Sequence, residues 1–170
     1  GDVYKRQERI RLGSLEPRII TESFAKELSA IKKVCPHFHL SLQSGCDTVL
    51  KRMNRHYTSA EYKEKVEILR KYFDYPAITT DVITGFPGET EEDFQATYDL
   101  VKEVGYHQVF TFIYSPREGT PAAKMPQDTP HEVIQERFDR LVALVQENAF
   151  EANQAELGQT VEVLVEGVSK

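Results

Sequence analysis

The chain has 170 residues, of which 40% are hydrophobic and 28% charged, so its composition fits one globular domain and excludes a disordered protein. It contains no run of about 18 apolar residues that would span a membrane and no signal-peptide core at its start, so we expect a cytoplasmic location. A net charge of −6 excludes a general basic surface for nucleic acid, and two cysteines are too few for a disulfide framework.

Strands and helices alternate in the predicted order of elements. Strands are predicted over 9–15, 38–45, 77–85 and 108–114, with alternating apolar residues in the first two and a β-branched, apolar start in the third. Five helices are predicted, and they begin at Thr21, Asp47, Thr58, Thr90 and Thr129 with Pro130. We expect Pro36 to end the first helix and Gly158 to end the last, which reaches about Leu157. Apolar and polar residues then alternate over segment 160–168, which predicts an edge strand that begins a new unit.

This repeated strand and helix order predicts the α/β class. It is typical of a parallel sheet that has its helices on the outside and right-handed connections between its strands. Four such strands cannot close a barrel of eight. The sheet is therefore either open or part of a larger barrel.

Polar residues and glycines cluster where the predicted strands end. The candidates are Ser14, Glu16, Gln43, Ser44, Gly45, Asp81, Gly85, Tyr114 and Ser115. Because ligands of parallel α/β sheets collect beyond the carboxyl ends of the strands, this pattern predicts a ligand site. Simpler interpretations exist for each residue: Gln43 satisfies loop backbone groups, Asp81 caps or pairs locally, and Gly85 only forms a turn.

A metal site is a weaker interpretation of the segment before the second strand. Cys35, His37 and His39 alternate there, which would place ligands that zinc prefers on one face of an extended chain. Half-buried packing is the more usual reason for such a pattern, and no fourth ligand follows at helical spacing. We therefore predict no metal site, and we interpret Cys46 as structural because no neighbouring base would activate its thiol.

A basic stretch follows the second strand and includes Lys51, Arg52, Arg55 and His56. It is either a solvated helix face or a contact for an anion near the end of that strand. Arg55 follows Gln43 by twelve residues, so a loop and a short helix could return it to the strand's end.

Three segments in combination closely resemble the radical S-adenosylmethionine (SAM) tRNA methylthiotransferases. They are HLSLQSGCDTVLKRMNRHYT, TTDVITGFPGETEEDF and YSPREGTPAAKM. The Gly-Cys-Asp after Leu-Gln-Ser is most like the branch that acts on N6-threonylcarbamoyladenosine at tRNA position 37. The branches that act on isopentenyladenosine and on a ribosomal-protein aspartate are close relatives.

The resemblance implies that the chain is a fragment of a larger enzyme. Residues 9–157 correspond to strands three to six of a (β/α)6 radical SAM barrel, and residues 158–170 correspond to the start of a TRAM-like β domain that grips RNA. Residues 1–8 do not match the family and are interpreted as extraneous sequence. The Cys-x-x-x-Cys-x-x-Cys motif that binds a [4Fe–4S] cluster in the family is absent from this sequence.

The resemblance also implies how SAM would bind. Ser14 would lie near its methionyl end, Gln43 and Asp81 would bond the ribose hydroxyls, and Arg55 would reach the methionyl carboxylate. The remaining residues expected around the adenine are Ile83, Gly85, Phe112 and Tyr114. A buried carboxylate at Asp81 is reasonable if a ribose diol donates hydrogen bonds to it.

The predicted function is therefore that of a fragment of a tRNA methylthiotransferase. The full-length protein would use SAM and [4Fe–4S] clusters to add a 2-methylthio group to N6-threonylcarbamoyladenosine in the anticodon loop of tRNA. We expect this fragment alone to be inactive. The alternatives are another methylthiotransferase of the family, acting on isopentenyladenosine or on a ribosomal protein, and a non-catalytic nucleotide-binding module.

Overall fold

The computed structural model describes residues 8–160 and also residues 163, 165, 167 and 168. Its strands are β1 (Ser14–Leu15), β2 (His37–Leu40), β3 (Ala77–Thr84) and β4 (Gln108–Ile113). Its α-helices are α1 (Glu22–Ser29), α2 (Asp47–Arg52), α3 (Ser59–Tyr72), α4 (Glu91–Val104) and α5 (His131–Ala155). Short 3-10 helices occur at Pro17–Ile19 and Ala122–Lys124.

The four strands form one parallel sheet in the order β1-β2-β3-β4. This confirms the predicted α/β class and the parallel sheet. Because the strand order never reverses, right-handed crossovers bring every connecting helix to the same face of the sheet. That is the arrangement of a barrel segment, since a doubly wound sheet reverses its order and carries helices on both faces.

The hydrophobic core lies between the sheet and this helix layer. Fully buried strand residues supply one side of the core: Phe38, Leu40, Leu42, Ile78 and Val82. Helix residues supply the other side, among them Val66, Leu69, Phe94, Val101 and Leu141. The apolar face predicted for the second strand, with Phe38, Leu40 and Leu42, is thus confirmed.

Helix starts follow the predicted capping signals in three cases. The Thr21 hydroxyl accepts a hydrogen bond from the Phe24 amide at the start of α1. Thr58 and Thr90 each form a reciprocal capping box at the starts of α3 and α4. Such caps satisfy amide groups that have no partner within the helix.

Two boundaries near the first helix were predicted wrongly. α1 ends at Ser29 and not near Pro36, because Val34 is already extended and pairs with Ile10. That pairing also divides the strand predicted over 9–15, since ladder pairing resumes only in β1. Contacts distant in sequence decide both boundaries.

The last helix begins one residue later than predicted. Pro130 has an extended backbone, with φ of −57° and ψ of 145°, so it occupies the cap position and Thr129 forms no side-chain cap. Residues 161, 162, 164 and 166 of the final strand predicted over 160–168 lie outside the described residues, as do residues 1–7. The proposed domain boundaries there stay predictions.

Candidate functional site

The face of the sheet opposite the helix layer is partly exposed, and we call it the open face. Along the carboxyl half of β3 and along β4 burial alternates: Val82 is fully buried, whereas Phe110 and Phe112 are 43% and 51% exposed. By alternation and strand register the open face carries Ser14, His37, His39, Ser41, Thr79, Asp81, Ile83, Gln108, Phe110 and Phe112.

Strand register arranges these residues in rows across the sheet. One row contains Ser14, His39, Thr79 and Gln108, which are successive register partners. The next row toward the carboxyl ends pairs Asp81 with Phe110, and the row after it pairs Ile83 with Phe112. The open face therefore changes from polar to aromatic toward the carboxyl ends of the strands.

Asp81 is held by side chains of β2 and the residues that follow it. His39 Nε2 lies 3.1 Å from Asp81 Oδ2, and the Ser41 hydroxyl donates to the same oxygen over 3.5 Å. The Asp81 side chain is 29% exposed. Both of these contacts end on Oδ2, and none of the described residues donates a hydrogen bond to Oδ1.

Gln43 continues the line of β2 and is bonded to β3 through its backbone. Its amide donates to the Asp81 carbonyl over 2.8 Å, and its own carbonyl accepts from the Ile83 amide over 2.9 Å. Gln43 is 8% exposed and has a φ of 70°, which is uncommon for a residue with a Cβ. Such backbone conformations cluster at ligand sites, where the surrounding contacts maintain them.

Gly85 begins the loop after β3, and its environment explains the glycine. Its φ is 72°, and an added Cβ would come within 2.5 Å of the Ile134 side chain on α5. Its amide donates to Glu89 Oε1 over 3.0 Å, and its carbonyl accepts from Gln127 over 2.7 Å. Both of its backbone polar groups therefore already have partners within the protein.

Two arginines secure this loop on the helix side. Arg137 of α5 is 4% exposed and donates to the Glu89 carbonyl over 3.1 Å, with a further contact to Glu89 Oε1 at 3.4 Å. Arg52 of α2 donates to the Gly88 carbonyl over 2.7 Å and to Asp93 over 3.2 Å. Burial raises the pKa of Glu89, although the Gly85 amide and Arg137 oppose that shift.

No local pattern predicts these two arginine contacts, because each joins residues more than thirty positions apart. Glu89 is 3% exposed and supports this loop from the helix side. Arg52, which the sequence left open between a solvated helix face and an anion contact, is bonded to the same loop. Lys51 and Arg55 are exposed, as a surface contact for an anion requires.

Tyr114 lies beyond β4 at the carboxyl end. Its amide donates to the Thr84 carbonyl over 2.9 Å, and its ring packs edge-on against Phe86 with centroids 5.0 Å apart. The Tyr114 hydroxyl is buried without a hydrogen-bond partner among the described residues. Such a group needs a partner, so it is a reason to expect a ligand or water there.

The two histidines that were considered as zinc ligands have other partners. His37 contacts Arg11, with 3.1 Å between Arg11 Nε and His37 Nδ1, and burial followed by the Arg11 charge lowers the pKa of His37. His39 contacts Asp81 and Thr79. Among the described residues, no group of three or more His, Cys, Asp and Glu side chains could hold a metal ion.

A cavity of about 510 Å³ opens at the other end of the sheet, where β3 and β4 begin. Its lining includes Arg70, Tyr75, Lys102, His107 and Asn148. Because ligands of parallel α/β sheets bind at the carboxyl ends of strands, this cavity does not mark the predicted site. The described helices are all too short or too polar to pass through a lipid bilayer.

Comparison with protein families matches residues 4–101 to the radical SAM superfamily. The chain belongs to that superfamily. A solved radical SAM enzyme, coproporphyrinogen III oxidase from Escherichia coli, superposes with a TM-score of 0.68 at 18% identity, over 82% of this chain and 32% of that one. This likeness shows the radical SAM fold of the segment.

Curated relatives of this radical SAM chain are named tRNA-2-methylthio-N(6)-dimethylallyladenosine synthase. The protein from Caldicellulosiruptor saccharolyticus is 48% identical over 96% of this chain and 35% of its own length. That from Alkaliphilus oremlandii is 50% identical over the same shares, and that from Nocardia farcinica is 47% identical over 96% and 33%. The chain thus spans about a third of the length of these relatives.

Proposed function

We propose that this chain is the SAM-binding part of a tRNA methylthiotransferase that acts on N6-dimethylallyladenosine. The observation that carries the proposal is identity of 48% and 50%, over 96% of the chain, to enzymes with that name. They represent the isopentenyladenosine branch. The threonylcarbamoyl branch expected from the Gly-Cys-Asp segment has no support among these relatives, and we replace that expectation.

The open face fits SAM in its chemistry. Asp81 offers a carboxylate oxygen to the ribose hydroxyls. Gln43 lies beside it, because it pairs with Val82, the next residue of β3 toward the carboxyl end. Ile83 and Phe112, which are register partners, offer an apolar and aromatic surface for the adenine. Ser14 shares the row of His39, and exposed Arg55 is free to take the methionyl carboxylate.

Gly85 and Tyr114 would act through the loop that borders the adenine. Gly85 would set the path of that loop, since its backbone groups bond to Glu89 and Gln127. The buried Tyr114 hydroxyl would gain a partner on the ligand side. When bound, SAM supplies the radical chemistry, while this chain's residues bind it, orient it and exclude water.

The described residues do not fit a [4Fe–4S] cluster, because they contain no suitable group of ligands and the sequence has two cysteines. In our proposal the cluster ligands belong to other parts of the complete enzyme, and tRNA is its partner through the anticodon loop. We place the enzyme in the cytoplasm, where its tRNA substrate is found.

Nucleoside analysis tests this proposal. The complete protein, expressed in a bacterium that lacks its own tRNA methylthiotransferases, should restore 2-methylthio-N6-dimethylallyladenosine in hydrolysed tRNA, as measured by mass spectrometry. The Asp81→Ala variant, expressed to the same level, should restore much less. Appearance of the 2-methylthio derivative of threonylcarbamoyladenosine would overturn the choice of branch, and absence of both products would overturn the proposal.

A further inference from the structure

His39 connects the polar row of the open face to Asp81. Its two ring nitrogens both have partners: Nδ1 lies 3.1 Å from the Thr79 hydroxyl and Nε2 lies 3.1 Å from Asp81 Oδ2. The side chain of His39 is 14% exposed, and its ring lies against Phe110 with centroids 5.9 Å apart. The imidazole is thus fixed on three sides by residues of β3 and β4.

These partners define the direction of each hydrogen bond. An ionised carboxylate only accepts hydrogen bonds, so Nε2 carries the proton and donates to Asp81. In the neutral ring Nδ1 then accepts from the Thr79 hydroxyl. Thr79 is 6% exposed, so this anchor of the ring is itself buried. The carboxylate therefore selects the tautomer, and the threonine hydroxyl satisfies the remaining ring nitrogen.

The consequence for Asp81 is a fixed orientation. Oδ2 takes the bond from His39, which lies one row nearer the amino ends of the strands, and Oδ1 stays open to a ligand. An unrestrained aspartate on an exposed sheet face would lose rotamer freedom when a ligand bound. A carboxylate that is held beforehand avoids part of that loss.

We propose that His39 is a positioning residue, which orients the Asp81 carboxylate to accept hydrogen bonds from the ribose hydroxyls of SAM. This inference rests on the proposed function, because it assumes that SAM binds at Asp81. His39 acts through its Nε2 donor. A glutamine at this position has an amide nitrogen that can reach a similar place, so it should partly replace the histidine.

The test is equilibrium binding of SAM to the anaerobically reconstituted complete enzyme, measured by titration calorimetry. We expect His39→Leu to weaken binding by about threefold to tenfold, the range for ordering one side chain only when the ligand binds. His39→Gln should stay within about twofold of the unchanged enzyme, because it keeps a donor near Asp81. His37→Leu is the matched control, because His37 lies on the same face of β2 and contacts Arg11 in place of Asp81.

A double-mutant cycle separates positioning from a general effect on structure. In the Asp81→Ala background, His39→Leu should cause little further loss of affinity, since the group that it orients is gone. Thermal melting of each variant confirms that it is folded, and His39→Phe, which keeps a ring beside Phe110 but has no donor, replaces His39→Leu if that variant does not fold.

The outcomes that would overturn the inference are distinct from failure of the proposed function. If Asp81→Ala weakens SAM binding and His39→Leu does not, the cofactor site stands and the positioning role is wrong. An equal loss from His39→Leu with and without Asp81 would also overturn the role. If the unchanged enzyme binds no SAM, the proposed function fails and this inference fails with it.

Discussion

The two faces of β3 differ in what their side chains contact. On the helix face, Thr80 and Val82 are fully buried against the core. On the open face, Asp81 and Ile83 are only half-buried, and their register partners Phe110 and Phe112 are exposed. One face therefore stabilises the fold, and the other carries polar and aromatic groups that the described chain leaves uncovered. Side chains that stabilise the fold and side chains that a ligand can reach therefore lie on opposite faces of the same strand.

Two phenylalanines of the sheet offer the largest contrast between the faces. Phe38 is fully buried on the helix face, so Phe38→Ala should lower the free energy of unfolding of this chain by about 3–5 kcal/mol. Phe112 is 51% exposed on the open face, so Phe112→Ala should cost about 1 kcal/mol or less. Urea unfolding measures both changes. Similar losses of unfolding free energy in the two variants would contradict the difference between the faces.

The Arg137 and Glu89 pair tests the helix side of the loop after β3. Both side chains are almost fully buried, at 5% and 2% exposed, so Arg137→Met should cost about 3–5 kcal/mol of unfolding free energy by leaving a buried carboxylate unpaired. Adding Glu89→Gln should recover part of that loss. Failure of the second substitution to recover any stability would show that Arg137 acts through Glu91 or packing.

The pH dependence of the same variant follows from the raised pKa of Glu89. A carboxyl with a raised pKa stabilises the fold at pH values below its unfolded pKa, and that contribution is lost as the pH rises through its folded pKa. Removing Arg137 should raise this pKa further. The stability difference between Arg137→Met and the unchanged chain should therefore grow from acid to neutral pH, as measured by urea unfolding across that range.

Asp81 tests the open face. In the complete enzyme, Asp81→Ala should weaken SAM binding by on the order of 1–3 kcal/mol, because charged hydrogen bonds to the ribose are lost. Its effect on thermal stability should be smaller than that of Arg137→Met. Asp99→Ala, at an exposed position of α4, is the control for removing one negative charge. Unchanged SAM affinity in a folded Asp81→Ala variant would show that Asp81 is structural.

The smallest expected effect is at Arg55, whose substitution tests whether this residue contacts SAM or tRNA. A lysine cannot bind a carboxylate bidentately, so Arg55→Lys should weaken SAM binding by about 1 kcal/mol and leave tRNA affinity unchanged. Lys51→Ala should spare SAM and, if Lys51 contacts phosphate, lower the salt dependence of tRNA binding by about one ion. Weaker tRNA binding with unchanged SAM binding in Arg55→Lys would contradict this placement.

The sequence by itself determined the order of elements and most helix starts. Thr58 and Thr90 each exchange hydrogen bonds with the residue three positions later, so the starts of α3 and α4 are predictable from local sequence. The alternation of Phe38, Leu40 and Leu42 likewise identifies the buried face of a strand, because side chains alternate in any strand. The family resemblance came from such local segments too.

Tertiary structure alone decided which residues meet across the sheet and the loops. The bond between His39 and Asp81 depends on the register of β2 against β3, and the clamp of Arg137 on Glu89 depends on where α5 packs. The early end of α1 likewise depends on the pairing of Val34 with Ile10. These contacts join residues far apart in sequence, so no local pattern records them, and only packing of the helix layer on the sheet fixes their geometry.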